Sequence, residues 1–196
     1  MSWIGNKYNI LSTISTTRKS TVYLGKDIHD QRVVIKAVPF EDSTIDNEIQ
    51  IMSFLTKYDD LDYYQSLIET IGDTTHRYLI TRHIPIPFTQ WINYHSDLPH
   101  HPLYMMVDLA EALLYLHHSG IAHCDLKPEN IMLQRDSAYD EIPLFRPVLI
   151  DFGYGCFATS MTPIKVRGTA AYMAPELWTQ SVQDVRSVDV FALGCL

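Results

Sequence analysis

The chain has 196 residues, with 15 basic and 23 acidic side chains, a formal net charge of −8 and 46% hydrophobic residues. That apolar share excludes a disordered chain, and the length suits one domain or two small lobes. The acidic balance excludes a general nucleic-acid binder, which needs a basic surface.

Taken in chain order, the N-terminal third reads as β-rich. Residues 20–26 (STVYLGK) and 32–38 (RVVIKAV) carry β-branched residues around the polar stretch 27–31, which predicts a hairpin. Ser43, with Asp46 three residues later, predicts a capping-box start to a helix whose apolar face is Ile45, Ile49, Met52 and Leu55, with Glu48 on its polar side. Asp59, Asp60 and Asp62 read as a solvated turn, and residues 67–71 and 77–83 as further strands. The stretch IPIP at 84–87 breaks the pattern, dividing the chain into lobes 1–83 and 84–196. Leu103, Val107, Ala110, Leu114 and His117 recur at helical spacing up to a stop at Gly120. The Met and Leu residues of this helix read as core. Residues 131–133 and 148–150 are short buried strands, 151–173 is irregular, and the last residues (DVRSVDVFALGCL) form an apolar helix.

Cys124, Cys156 and Cys195 are too widely spaced for a zinc knuckle or a disulfide framework, which suits a reducing compartment. No apolar run is long enough to cross a bilayer. MSWIGNKYNI lacks the basic head and apolar stretch of a secretory leader. A soluble cytoplasmic protein is the expectation.

The chemistry concentrates in HCDLKPEN, residues 123–130, which supplies an acid (Asp125), a cation (Lys127) and an amide (Asn130). Asp151 follows an apolar strand. Asn130 and Asp151 are hard oxygen ligands of the kind that hold magnesium against phosphate oxygens. Asp125 suits the orientation or deprotonation of a hydroxyl. Lys127 suits charge stabilisation on a moving phosphoryl group. Lys36 ends the run VVIK, and a lysine held by a carboxylate such as Glu48 is a natural phosphate clamp.

These segments, in this order, resemble the eukaryotic protein kinase family. VVIK at 33–36, Glu48, HCDLKPEN, DFG at 151–153, APE at 174–176 and Asp189 in DVFALG all match. The resemblance implies an α+β, two-lobed protein-kinase-like fold with a β-rich N-lobe (1–83) and a mainly helical C-lobe (84–196) that ends inside helix F. It implies ATP and Mg2+ as ligands and a protein substrate with a Ser/Thr acceptor. Lys127 and Thr169, whose hydroxyl would bridge Asp125 and Lys127, resemble serine/threonine rather than tyrosine kinases. By the same resemblance Ile14, Val22, Val34, Thr81 and Met132 would wall the adenine slot, the backbone near 82–84 would bond the base edge, and Asn130 and Asp151 would hold the metal. His123 would pack in a structural spine under Phe152. Asp189 would be buried.

Three departures stand out. The glycine positions of the nucleotide-covering loop hold Ser15, Thr17 and Ser20, where a left-handed backbone would cost about 1–2 kcal/mol per residue; Arg18 and Lys19 at the tip could compensate. Cys124 replaces an arginine that grips an activation-segment phosphate, so phosphorylation of Thr159, Ser160 or Thr162 should matter less; Cys124 itself reads as an inert buried thiol. The arginine partner that the family supplies for Glu176 is absent from this sequence, and an uncovered helix F invites a protein partner. His100–His101 and His117–His118 read as surface histidines rather than zinc ligands. A catalytically weak binding module and a small-molecule kinase stay open as alternatives.

Overall fold

A computed structural model describes residues 3–94, 102–135, 144–158 and 166–196. The chain divides into two units, Met1–Tyr58 with Gln65–His83, and Asp59–Tyr64 with Ile84–Leu196.

The first unit is a six-stranded antiparallel sheet in the order β1-β2-β3-β4-β6-β5 with one helix. Its strands are β1 (Trp3–Ile4), β2 (Tyr8–Thr16), β3 (Thr21–Lys26), β4 (Arg32–Pro39), β5 (Leu67–Gly72) and β6 (His76–Arg82). Alternation along β4 sorts the side chains. Val33 and Ile35 enter a core with Ile4, Tyr8 and Ile80, leaving Val34 and Lys36 on the opposite face. The long strand β2 was not separable by pattern, because Leu11–Thr16 is exposed throughout.

Helix α1 (Thr44–Tyr58) starts differently from the capping box expected at Ser43. Asp42 Oδ1 accepts the Thr44 backbone N–H at 2.9 Å and the Thr44 hydroxyl at 2.6 Å, while Asp46 pairs with Arg77. These Thr44 bonds hold the Asp42 carboxyl below its ordinary range. The buried stripe of α1 is Ile45, Glu48, Ile51, Met52 and Leu55. Glu48 therefore lies on the buried face and not the polar one, because Lys36 supplies the counter-charge that burial requires.

The second unit holds β7 (Ile86–Pro87), α2 (Phe88–Tyr94), α3 (Pro102–His118), β8 (Ile121–Ala122), β9 (Ile131–Arg135), β10 (Phe145–Leu149), β11 (Cys156–Phe157), α4 (Pro175–Trp178) and α5 (Ser187–Gly194). Its sheets run β10-β9-β7 and β11-β8. Gly120 ends α3 at φ 71°, with its N–H on the His117 carbonyl at 3.0 Å. The expected apolar face of α3 is corrected by the structure: Met105, Leu109, Ala112, Leu113 and Leu116 are buried, whereas Leu103, Val107 and Leu114 are exposed. The helix is apolar on both sides, so periodicity could place the helix but not choose which side faces inward. On α5, Val190 and Phe191 are exposed.

The turn at 59–62 is also corrected. Asp59 is half-buried and accepts backbone N–H groups from Leu61 and Tyr63, each at 3.2 Å, and from Tyr64 at 2.8 Å. Tyr63 and Tyr64 then donate their hydroxyls to Glu111 and to the Ala112 carbonyl on α3. The Leu149 N–H bonds the Tyr63 carbonyl at 2.8 Å. This anchoring groups Asp59–Tyr64 with the second unit, contrary to a simple division after residue 83. Replacing Asp59 by Ala strands three donors, and the expected cost is about 2 kcal/mol, a fall in Tm of roughly 4–8 °C for a chain of this size. An unchanged melting curve would show that water serves those donors equally well.

Candidate active site

The segment that carries Asp125 is set by a buried carboxylate from α5. Asp189, 1% exposed, accepts the His123 N–H at 2.8 Å and the Cys124 N–H at 2.7 Å. His117 Nε2 lies 2.9 Å from the same carboxylate. His117 is thus a half-buried partner of Asp189 rather than the surface histidine its pair suggested; His118 is exposed, and His100 and His101 lie outside the described residues. The Asp189 contact holds Cys124 in a left-handed conformation, φ 63°, at a cost of about 1–2 kcal/mol. His123 packs against Phe152 with ring centroids 5.0 Å apart. Its Nδ1 accepts the Asp125 N–H at 3.3 Å and its Nε2 faces the Ile150 carbonyl at 3.1 Å, a bonding pattern that suits the Nε2–H tautomer.

Around Asp125 the polar groups interlock. Thr169 donates its hydroxyl to Asp125 Oδ1 at 2.8 Å. Lys127 Nζ donates to Asp125 Oδ2 and to Thr169 Oγ1, both at 2.8 Å. Asn130 Nδ2 donates to the Asp125 carbonyl at 2.8 Å and to Oδ2 at 3.2 Å. With its amide nitrogen so engaged, Asn130 has its amide oxygen left to offer a cation. Gly168, at φ 106°, lies so close that a Cβ there would sit 2.7 Å from the Cys124 carbonyl oxygen. A glycine is what lets the segment bearing Thr169 approach Asp125.

Asp151 reaches the same end of this unit through a hairpin. Strands β9 and β10 pair in the register Ile131↔Leu149, and the Ile150 N–H bonds the Asn130 carbonyl at 3.0 Å. Asn130 therefore precedes one strand and Asp151 follows the other. Asp151 is exposed, with φ 62°. Among the described residues, no group of three His, Cys, Asp or Glu gathers as a metal site. An amide oxygen and a carboxylate completed by phosphate oxygens is nonetheless a donor set that fits magnesium.

In the first unit Lys36 Nζ meets Glu48 Oε1 and Oε2 at 2.7 and 2.9 Å. The register pairs Val22 with Lys36 and Val34 with Thr81. Directly paired residues share a sheet face, so Val22, Val34, Lys36 and Thr81 line one surface. Thr81 is buried. Ile14 falls at the bulge between Thr13 and Ser15 and is 55% exposed. Met132 lies in the second unit on β9, between Val148 and Pro87.

The turn between β2 and β3 is built without glycine. Thr17 Oγ1 accepts the N–H of Lys19 at 3.2 Å and of Ser20 at 3.1 Å and faces the Ser20 carbonyl at 3.2 Å. None of Ser15, Thr17 and Ser20 has positive φ, so the expected left-handed strain does not arise. Sequence reasoning missed this Thr17 network; the available signal was a threonine three residues before a serine at a tight turn. It also missed the Ser187 hydroxyl on Glu176 Oε1 at 3.1 Å. Thr159, Ser160 and Thr162 lie outside the described residues.

The protein kinase domain family matches residues 8–196. The chain is 30% identical over 200 residues to the serine/threonine-protein kinase RUNKEL of Arabidopsis thaliana, covering 97% of this chain and 14% of that protein. It is 27% identical over 201 residues to the serine/threonine-protein kinase AfsK of Streptomyces coelicolor, 96% and 24%. It is 37% identical over 94 residues to the serine/threonine-protein kinase dkf-2 of Caenorhabditis briggsae, 47% and 7%. The chain thus spans a quarter or less of these relatives' lengths. From the geometry, replacing Asp189 by Ala leaves two buried N–H groups and His117 without their acceptor. The expected loss is about 3–5 kcal/mol, read as a lower denaturation midpoint. A loss under about 1 kcal/mol would show that the Asp125 segment holds itself.

Proposed function

The chain belongs to the protein kinase family, and on that premise we propose that it is a serine/threonine protein kinase that passes the γ-phosphoryl group of ATP to a hydroxyl of a protein substrate. The observation that carries this reading is the interlocked set of Asp125, Lys127, Thr169 and Asn130. Asp125 orients the acceptor hydroxyl and takes its proton as the oxygen attacks. Lys127, already on Asp125 and Thr169, stabilises charge on the phosphoryl group in flight. Thr169 holds both in register. Asn130 and Asp151 are the ligands for magnesium, whose contribution is to offset phosphate charge. Lys36, oriented by Glu48, clamps the nucleotide's phosphates. Val22, Val34 and Thr81, with Ile14 and Met132, contact the adenine.

Backbone groups of Arg82 are already engaged, its N–H with Ser66 and its carbonyl with Gln65 Nε2, so the base edge is assigned to His83 and Ile84. A cytoplasmic site of action belongs to the same proposal, supported by three unbridged cysteines. No helix among the described residues is long and apolar enough to cross a membrane.

Adding Mg-ATP at about 100 times its dissociation constant should stabilise the chain by roughly 2.7 kcal/mol, or about 5–11 °C in Tm. Phosphoryl transfer to a Ser/Thr peptide should then be abolished by Asp125→Asn without loss of the ATP shift. Equal transfer by both proteins would overturn the role of Asp125.

A second reading, a binding module with weak nucleotide affinity, is favoured by Thr17. Its hydroxyl engages the Lys19 and Ser20 N–H groups that a bare loop would offer to phosphate. The expected outcome for Thr17→Gly is a Kd for Mg-ATP several-fold lower, measured by calorimetry. An unchanged or weaker Kd would show that this turn does not limit nucleotide binding.

A further inference from the structure

Cys124 and Cys156 lie 32 positions apart, yet their sulfurs are 3.8 Å from one another. Strand β11 pairs with β8 in the register Cys156↔Ala122, so Cys124, two residues beyond Ala122, falls beside Cys156. Both belong to a buried cluster with Ala174, Leu177, Val185 and Val188. Cys195, by contrast, is exposed. A disulfide needs about 2.05 Å between sulfurs, so the two must close by less than 2 Å, within the reach of side-chain rotation.

The surroundings also differentiate the thiols. Cys124 lies within hydrogen-bonding range of Cys156, and Arg167 Nη2 is 3.7 Å from Cys124 Sγ. The hydrogen bond from Cys124, helped by the Arg167 charge, holds the Cys156 thiol below its ordinary value. The same hydrogen bond and burial push Cys124 up. A cavity of about 10 Å³ lined by Cys124, Arg167, Gly168 and Asp189 lies on the Cys124 side of the pair, space on the scale of one water-sized molecule.

We propose that Cys124 and Cys156 are a redox modification site that closes to a reversible disulfide with a peroxide as oxidant. The Cys156 thiolate attacks a peroxide oxygen. The O–O bond breaks, Cys156 becomes a sulfenic acid, and the departing hydroxide takes a proton to leave as water. Cys124 then gives up its proton and its sulfur attacks the Cys156 sulfur. The S–O bond breaks and a second water leaves. Two thiols lose two electrons in all, and one peroxide becomes two waters. A dithiol reductant reverses the bond by exchange. Closure ties the residue next to Asp125 to β11, but bond formation itself does not depend on the kinase reading.

The test uses the whole folded chain, treated with hydrogen peroxide near neutral pH, alkylated, digested and mass-mapped without reduction. The expected product is a peptide linking Cys124 to Cys156, lighter by two hydrogens, absent after dithiothreitol, with Cys195 still alkylated. The same treatment in denaturant should lose this selectivity. In Cys124→Ser, dimedone should trap a sulfenic acid on Cys156; in Cys156→Ser, no such adduct should form on Cys124. The proposal is overturned if both sulfurs remain alkylatable in the folded chain, if the bridge involves Cys195, or if Cys156 proceeds to sulfinic acid without linkage. All these readouts are masses, so a failure of phosphoryl transfer leaves them intact.

Discussion

A carboxylate buried to 1% exposure is tolerable only when donors converge on it, and three converge on Asp189: the backbone N–H groups of His123 and Cys124 and His117 Nε2. This contact joins α5, the end of α3 and the strand leading into Asp125. It sets the backbone direction at Cys124, where a left-handed turn aims the next residue toward Lys127 and Thr169. The left-handed conformation is unfavourable alone and persists because the surrounding bonds over-determine it.

Around that fixed point the site is assembled by pairing rather than by proximity in sequence. The β9–β10 hairpin brings Asn130 and Asp151 to one end because each flanks a paired strand. The glycine at 168 lets a distant segment pass against the Cys124 carbonyl and deliver a hydroxyl to Asp125. In the first unit, alternation along β4 puts Lys36 on the face that also carries Val34 and the paired Val22 and Thr81. Glu48 then occupies a position in the buried stripe of α1 that an apolar residue would otherwise fill.

The turn at Thr17–Ser20 shows how one side chain can substitute for glycine and alter what the turn offers. A hydroxyl closing the turn removes the need for positive φ. The same hydroxyl occupies backbone N–H groups that bare glycine would leave open. Shape is kept while hydrogen-bonding capacity shifts from ligand to protein.

The α+β organisation, the succession of strands read at 20–26, 32–38, 67–71 and 77–83, and the acid–cation–amide cluster of 123–130 were legible from local pattern to within a residue or so at each strand end, since strand alternation, helix stops and motif spacing are encoded within short windows. Other features were not. The exposed strand β2 has no alternation to detect. The apolar residues of α3 recur on both sides, so its inward face depends on what packs against it. Asp59 and His117 look solvent-facing until neighbours from other elements supply their partners, and Glu48 looks polar-facing until Lys36 neutralises it. Nothing in the spacing of Cys124 and Cys156 signals a pair. Their approach follows from β8–β11 registration, and long-range registration is set by the energy of the folded chain rather than by any short segment of it.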